Sequence, residues 1–235
     1  MDNNLTSKSA LVETLPTVFG YLGIGIAFGV VGRASGLSIW LVTLISIFVY
    51  AGSAQFVLVS MLLAHSSLPA IVFSVFLVNA RMTLMSTTLT PFLKDESMRK
   101  NIWLGTLLTD ESFALAVNKL NYTEQKLNFT WFNTVNVVSY LTWILSSALG
   151  AGLGSLITDP AKFGLDFAIT AMFIGLLYSQ ITSDKSIKLG LQLGLVIFVL
   201  VGTYLGLIFI PANILVLVIT VLGCMLGVLI KNANQ

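Results

Sequence analysis

The chain predicts an all-α fold, a polytopic bundle of about seven to eight transmembrane segments, and three observations lead there. Hydrophobic residues fill 56% of the 235 positions and charged residues only 9%, with a mean hydropathy of +0.93. A soluble domain carries about 25% charged residues, so most of this surface meets lipid rather than water. The apolar residues also gather into eight runs, at 15–31, 37–64, 68–93, 102–117, 129–157, 163–181, 189–210 and 212–230. All five prolines fall near run ends, where a missing N–H or a helix stop costs little.

A straight span needs about 20 residues, and each run is judged against that length. Run 15–31 opens with Pro16 at its first turn and is too closely followed by further runs to be a cleaved leader. Run 37–64 is too long for one straight span, and positions 51–54 place four small residues together before Gln55. Small residues weaken a helix locally, so a broken or re-entrant helix is predicted near residues 49–56. Run 68–93 is framed by Pro69 and Pro91, and run 102–117 is short and polar enough to need help from its neighbours. Run 129–157 is also overlong, run 163–181 follows Pro160, and Pro211 separates the last two. Five Gly-x-x-x-Gly pairs, beginning at Gly25, Gly150, Gly190, Gly202 and Gly223, fall in four of these runs and predict close helix packing in lipid. Trp40, Trp103 and Trp131 lie near run starts, where an indole ring sits at the headgroup level. Stretches 94–101 and 118–128 are polar loops. Residues 1–235 therefore read as a single integral membrane domain with no soluble catalytic module. Basic residues divide evenly between alternating loops, so they set no orientation.

Four ionisable residues interrupt these runs: Arg81, Asp110, Glu111 and Asp166. A charge at the centre of a spanning helix costs about 2.5–3.5 kcal/mol even on insertion scales, so it faces a partner or a wet cavity. Arg81 lies about 18 Å from either end of its run, too deep to snorkel, and must find an acceptor inside the protein. Asn79 sits two positions before it. Adjacent helical residues point about 100° apart, so one of Asp110 and Glu111 can pair with Arg81 while the other titrates in a water path, with Asp110 preferred. The break at 49–56 brings Gly52, Ser53 and Gln55 to bilayer depth, where open N–H groups can hold a carboxylate. Asp166 opens run 163–181, where helix capping is the simpler reading. Asn133 and Asn136 share one face of their run. The structural counter-reading is that these charges only lock the bundle together.

Several classes fail on inventory. His65 is the single histidine and Cys224 the single cysteine, so paired-histidine metal sites and disulfides have no material. Nucleotide-binding, nucleophile-elbow and Cys-x-x-Cys motifs are missing, and no enzyme activity or cofactor is expected. A net charge of +2 gives no reason to invoke nucleic acid.

Five blocks, Gly25-Ile26-Ala27-Phe28-Gly29, residues 49–56, Asn79-Ala80-Arg81, residues 109–115 and residues 164–173, resemble the AzlC family, the large subunit of branched-chain amino acid exporters. The resemblance implies a multi-pass plasma-membrane protein that exports leucine, isoleucine, valine and related neutral amino acids, methionine among them. It also implies a small hydrophobic partner of the AzlD type. A zwitterion needs a cationic or N–H-rich contact for its carboxylate and an anionic contact for its ammonium. Arg81 or the 51–55 break can supply the first, Asp110 or Glu111 the second. A proton-driven exporter is the leading expectation. The alternatives are a facilitative, channel-like pathway for another small solute and a non-transporting structural subunit.

Overall fold

The computed structural model describes residues 3–156, 174, 177, 178, 181, 188–209 and 212–233, and every regular element among them is a helix. The chain forms two compact units, Met1–Ile169 and Thr170–Gln235.

In the first unit, helix α1 runs from Ser7 to Ala34 and starts well before the apolar run that announces it. A capping box sets the start: the Ser9 N–H donates to the Thr6 hydroxyl at 3.2 Å and the Thr6 N–H to the Ser9 hydroxyl at 3.3 Å. Pro16 therefore lies inside α1 and not at its first turn. The extra turns carry Glu13 and Thr14, both buried against protein, so their polarity hid the helix from hydropathy.

Helix α7, Phe129–Gly154, is unbroken, and its N-terminus is capped by Asn128, which accepts from the Trp131 N–H at 2.9 Å. Helices α1 and α7 lie side by side and run the same way. Glu13 meets Trp131, Tyr21 meets Trp143 and Ser146, Gly29 meets Ser147 and Gly150, and Gly154 meets Val30 and Arg33. The glycine pairs predicted as packing seams face each other here and let the two backbones touch. Helix α4, Leu68–Leu89, continues through a 3-10 turn, Thr90–Leu93. Its last residues, Leu89 and Leu93, join Ala10, Trp131 and Phe132 in one buried cluster. Helix α4 thus ends where α1 and α7 begin, and runs opposite to both.

That direction fixes the path of the chain between α1 and α4. Helices α2 (Ile39–Phe48, 10 residues) and α3 (Gly52–Leu63, 12 residues) are each about half a bilayer long at about 1.5 Å per residue. Val42 in α2 packs against Gly32 near the end of α1, the turn at Tyr50 reaches Tyr140 halfway down α7, and Phe56 is back beside Phe28. Helices α2 and α3 form a re-entrant hairpin, entering and leaving by the face where α1 ends. The break predicted at 49–56 is real and sits at Tyr50, just ahead of the four small residues.

A second hairpin enters from the other face. Helix α5, Met98–Thr106, starts beside the end of α4, with the Asn101 amide donating to the Leu93 carbonyl at 3.1 Å. Its tip at Leu107, Leu108 and Thr109 reaches Tyr21, and helix α6, Asp110–Leu120, returns to the start of α1 through Lys119 and Glu13. The run 102–117, read from sequence as one short span, is therefore two half-helices. Thr109 and Ser112 form a capping box that restarts the helix inside an apolar run. Helix α6 also extends into the expected 118–128 loop, because Lys119 is fully buried. Trp131, expected among headgroups, is buried with its indole on Glu13.

In the second unit, α8 (Leu189–Gly206) and α9 (Ala212–Ala233) pair antiparallel. Gly206 receives Leu215, Gly202 receives Ile219, Gly223 receives Val199 and Gly227 receives Leu195. Among the described residues, α1, α4 with its 3-10 turn, α7 and α8 are long and apolar enough to cross a membrane.

Candidate functional site

The two hairpin tips meet at Arg81, midway along α4. Its Nη2 donates to Asp110 Oδ2 at 2.7 Å and to the Ser53 hydroxyl at 3.1 Å, so one guanidinium nitrogen joins the first turns of α3 and α6. Those two residues sit at helix starts for different reasons. Helix α6 has a full side-chain cap, and Asp110 and Glu111 in its first turn complement its N-terminal dipole. Helix α3 follows Ala51, which offers no side-chain cap, so its first N–H groups, from Gly52 onward, are left for another acceptor. A Cβ at Gly52 would press on the Trp143 ring, so glycine lets the tip close onto α7.

The tip of the first hairpin is held in an unfavourable backbone. Tyr50 has φ of 38°, a left-handed conformation that costs a residue with a Cβ about 1–2 kcal/mol. Burial of its ring edge-on to Tyr140, centroids 4.8 Å apart, offsets this, and the Tyr140 hydroxyl donates to the open Ile47 carbonyl at 3.0 Å. Gln55 closes the hairpin: its amide donates to Ser46 at 3.1 Å, and its carbonyl accepts from the Trp143 indole at 2.8 Å. Fully buried Gln55 thus holds the break together from both ends of its amide.

Of the residues that the sequence nominates, Ser53, Arg81 and Asp110 are brought into direct contact, with Gly52 adjacent. Asn79 lies two positions before Arg81 on α4, where side chains point to different faces, and its Oδ1 is buried without a hydrogen-bond partner, as is Arg81 Nε. Buried polar atoms are rarely left unmatched, so the Arg81 Nε–H is a donor open to something else. Glu111 turns to another cluster, its Oε2 accepting from the Tyr21 hydroxyl at 2.6 Å. Asn133 accepts from the Trp103 indole at 2.7 Å, and Asn136 donates to the Leu104 carbonyl at 3.3 Å, so both brace the second hairpin. Asp166 lies outside the described residues. Arg81 and Asp110 keep 39% and 43% of their side chains exposed, enough for a ligand to reach the pair.

Sequence reasoning missed Tyr21, Tyr50, Thr109 and Trp143. One signal was present: Tyr21, Gly25, Phe28 and Gly32 recur at helical spacing, which places the phenol on the packed face of α1. The ion pair between Lys119 and Glu13, 2.8 Å long, left none, because its partners lie 106 positions apart.

The family model for "AzlC protein" matches residues 16–157, more than half of the chain and nearly all of the site. The chain belongs to the AzlC family. A branched-chain amino acid transport protein, AzlC of Bacillus subtilis, is 30% identical over 92% of this chain and 84% of its own length. A Helicobacter pylori membrane protein without a described activity is 32% identical over 90% of this chain and 93% of that one. The Escherichia coli inner membrane protein YgaZ is 28% identical over 91% and 86%. No solved structure matches this chain. Within this AzlC chain the matched region takes in α1 to α7, and so both hairpins and the Arg81 junction. It is a membrane transporter by family, and its transmembrane helices and uncovered apolar faces agree with that.

Proposed function

We propose that this chain is the large subunit of a secondary exporter for leucine, isoleucine, valine and related neutral amino acids, methionine included. It works in the plasma membrane, is driven by the proton gradient, is not an enzyme, and acts with a small AzlD-like membrane subunit. One observation carries the proposal: opposite charges, Arg81 and Asp110, meet where two half-membrane hairpins from opposite faces touch, with Arg81 Nε left without a hydrogen-bond partner. A neutral amino acid is a zwitterion, and it fits that combination. Its carboxylate is answered by the Arg81 Nε–H and the uncapped N–H groups at Gly52 and Ser53, its ammonium by Asp110. The aliphatic side chain rests among Leu, Val and Phe. The branched-chain preference is supported by the name of the Bacillus subtilis relative. Opposed hairpins suit alternating access, since each tip can uncover the junction toward its own face.

The test is leucine counterflow and pH-gradient-driven leucine accumulation in proteoliposomes that hold the chain with an AzlD-like subunit. Saturable transport that responds to an imposed gradient is expected. Arg81→Lys, which keeps the charge but loses the planar donor set, should lower transport at least about tenfold with the protein still folded. Non-saturable flux would mean a facilitative pathway, and no flux with either subunit arrangement would mean a structural role.

A further inference from the structure

Asp110 and Glu111 are neighbours in sequence yet sit in opposite electrostatic company. Asp110 has a guanidinium at 2.7 Å. Glu111 has no ion-pair partner among the described residues; its Oε2 accepts from the Tyr21 hydroxyl, which also lies against Thr109 Oγ1. Tyr21 is 4% exposed, Thr109 4% and Tyr50 7%, so these hydroxyls are shut inside the bundle. The Tyr21 hydroxyl lies 2.6 Å from Glu111 Oε2 and 2.8 Å from Thr109 Oγ1, one proton between two acceptors. The Tyr50 hydroxyl is buried beside them and completes no hydrogen bond of its own.

We propose that Glu111, and not Asp110, is the residue that takes up and releases the coupling proton, with the Tyr21 hydroxyl turning between Glu111 and Thr109 as it does so. This deepens the exporter reading and rests on it, and it departs from the preference for Asp110 that the sequence alone suggests. While Glu111 is a carboxylate, the Tyr21 O–H donates to it. When a proton adds to the carboxylate, the new acid O–H donates to the Tyr21 oxygen, and the phenol proton turns to Thr109 Oγ1. Release runs the same steps backward, and no other atom changes hands. Thr109 caps α6, so the proton on Glu111 decides which hydrogen bonds hold the tip that carries Asp110 to the substrate junction.

Among the described residues, the groups facing this site are few. Tyr21 comes from α1, Tyr50 from the α2–α3 turn, Arg81 from α4 through its bond to Asp110, and Tyr140 from α7 behind Tyr50. Lys119, farther along α6, is already engaged by Glu13.

Proteoliposomes of the chain with an AzlD-like subunit, assayed with radiolabelled leucine, test the idea. Glu111→Gln is expected to abolish leucine accumulation driven by a pH gradient while keeping counterflow without a gradient within about threefold of wild type. Its counterflow rate should also become flat with pH where the wild type varies. Tyr21→Phe, which removes the hydroxyl and keeps the ring against Trp143, should weaken accumulation in the same direction. Gradient-driven accumulation that survives in Glu111→Gln overturns the proposal, as does counterflow lost together with accumulation. Uncoupled counterflow produced by Asp110→Asn, and not by Glu111→Gln, overturns it as well. Wild-type protein that moves no leucine in either assay overturns the exporter reading and this proposal together, and the wild-type arm tells that failure from the others.

Discussion

Lys119 is a lysine with no exposed surface, held by Glu13 at 2.8 Å, while the Trp131 indole donates to the other Glu13 oxygen at 3.0 Å. The ammonium also lies 5.4 Å from the centre of the Trp131 ring. Three elements meet there: the start of α1, the end of α6 and the start of α7. A buried pair adds little over an apolar replacement, because desolvation offsets attraction, but removing one partner strands a buried charge at a cost of about 3–5 kcal/mol. Lys119→Met should therefore destabilise the protein by about that much, and adding Glu13→Gln should restore most of the loss. Unfolding of the detergent-solubilised variants measures it, and additive losses in the double variant would show that the two residues do not act as a pair. The Arg81 pair was legible in the sequence for a reason that the Lys119 pair was not. Arg81 lies in the middle of an apolar run, where a charge stands out, whereas Lys119 and Glu13 lie at run edges and look like loop residues until the fold joins them.

At the level of elements, the seam between α1 and α7 depends on glycine where backbones touch. A Cβ at Gly150 would run into the Ile26 backbone, while a Cβ at Gly152, on the same helix, meets nothing within 4 Å. Gly150→Val should cost on the order of 1–3 kcal/mol, and Gly152→Val should be near neutral. Equal losses in thermal unfolding would mean that helix propensity, not the seam, is at stake. A second joint lies at the end where α7 begins, where Glu96 accepts from the Phe129 N–H at 2.9 Å and from Lys100 Nζ at 2.7 Å. The Lys100 ammonium, then the Phe129 N–H, hold its carboxyl below the ordinary value of about 4.3. A carboxyl depressed on folding stabilises above the unfolded value, and that contribution fades as pH falls through the folded value. Acid unfolding of Glu96→Gln should thus lack part of the stability loss below about pH 4 that the wild type shows. Coincident acid limbs would rule the joint out. The sequence made the first hairpin visible, through four small residues and a Gln in an overlong run. It concealed the second, because a Thr-capped restart inside a short run differs little from a single polar span.

The whole first unit is arranged as two hairpins pointing at each other between three full-length helices, and this has a consequence for which loops share a side. Helices α2 and α3 with their turn cover 39–63, about 37 Å of helix if straight, so length alone would allow a crossing. Direction excludes it: α4 must start where α1 ends, since its own end lies with the beginnings of α1 and α7. A crossing at 37–64 would put the α3–α4 loop opposite the α1–α2 loop; a re-entrant hairpin puts them together. The same holds for α5 and α6 at the other face. In a Cys224→Ser background, which removes an exposed native thiol, Ala34→Cys and Ala64→Cys should react with an impermeant maleimide from one side of sealed vesicles. Ser97→Cys and Tyr122→Cys should react only from the other. All four positions lie on exposed turns or helix ends, so failure to label would not come from burial. If Ala64→Cys instead follows Ser97→Cys, the first hairpin crosses the membrane and α4 is inverted. The junction at Arg81 would then be reached from one face only, and alternating access through opposed tips would have no structural basis.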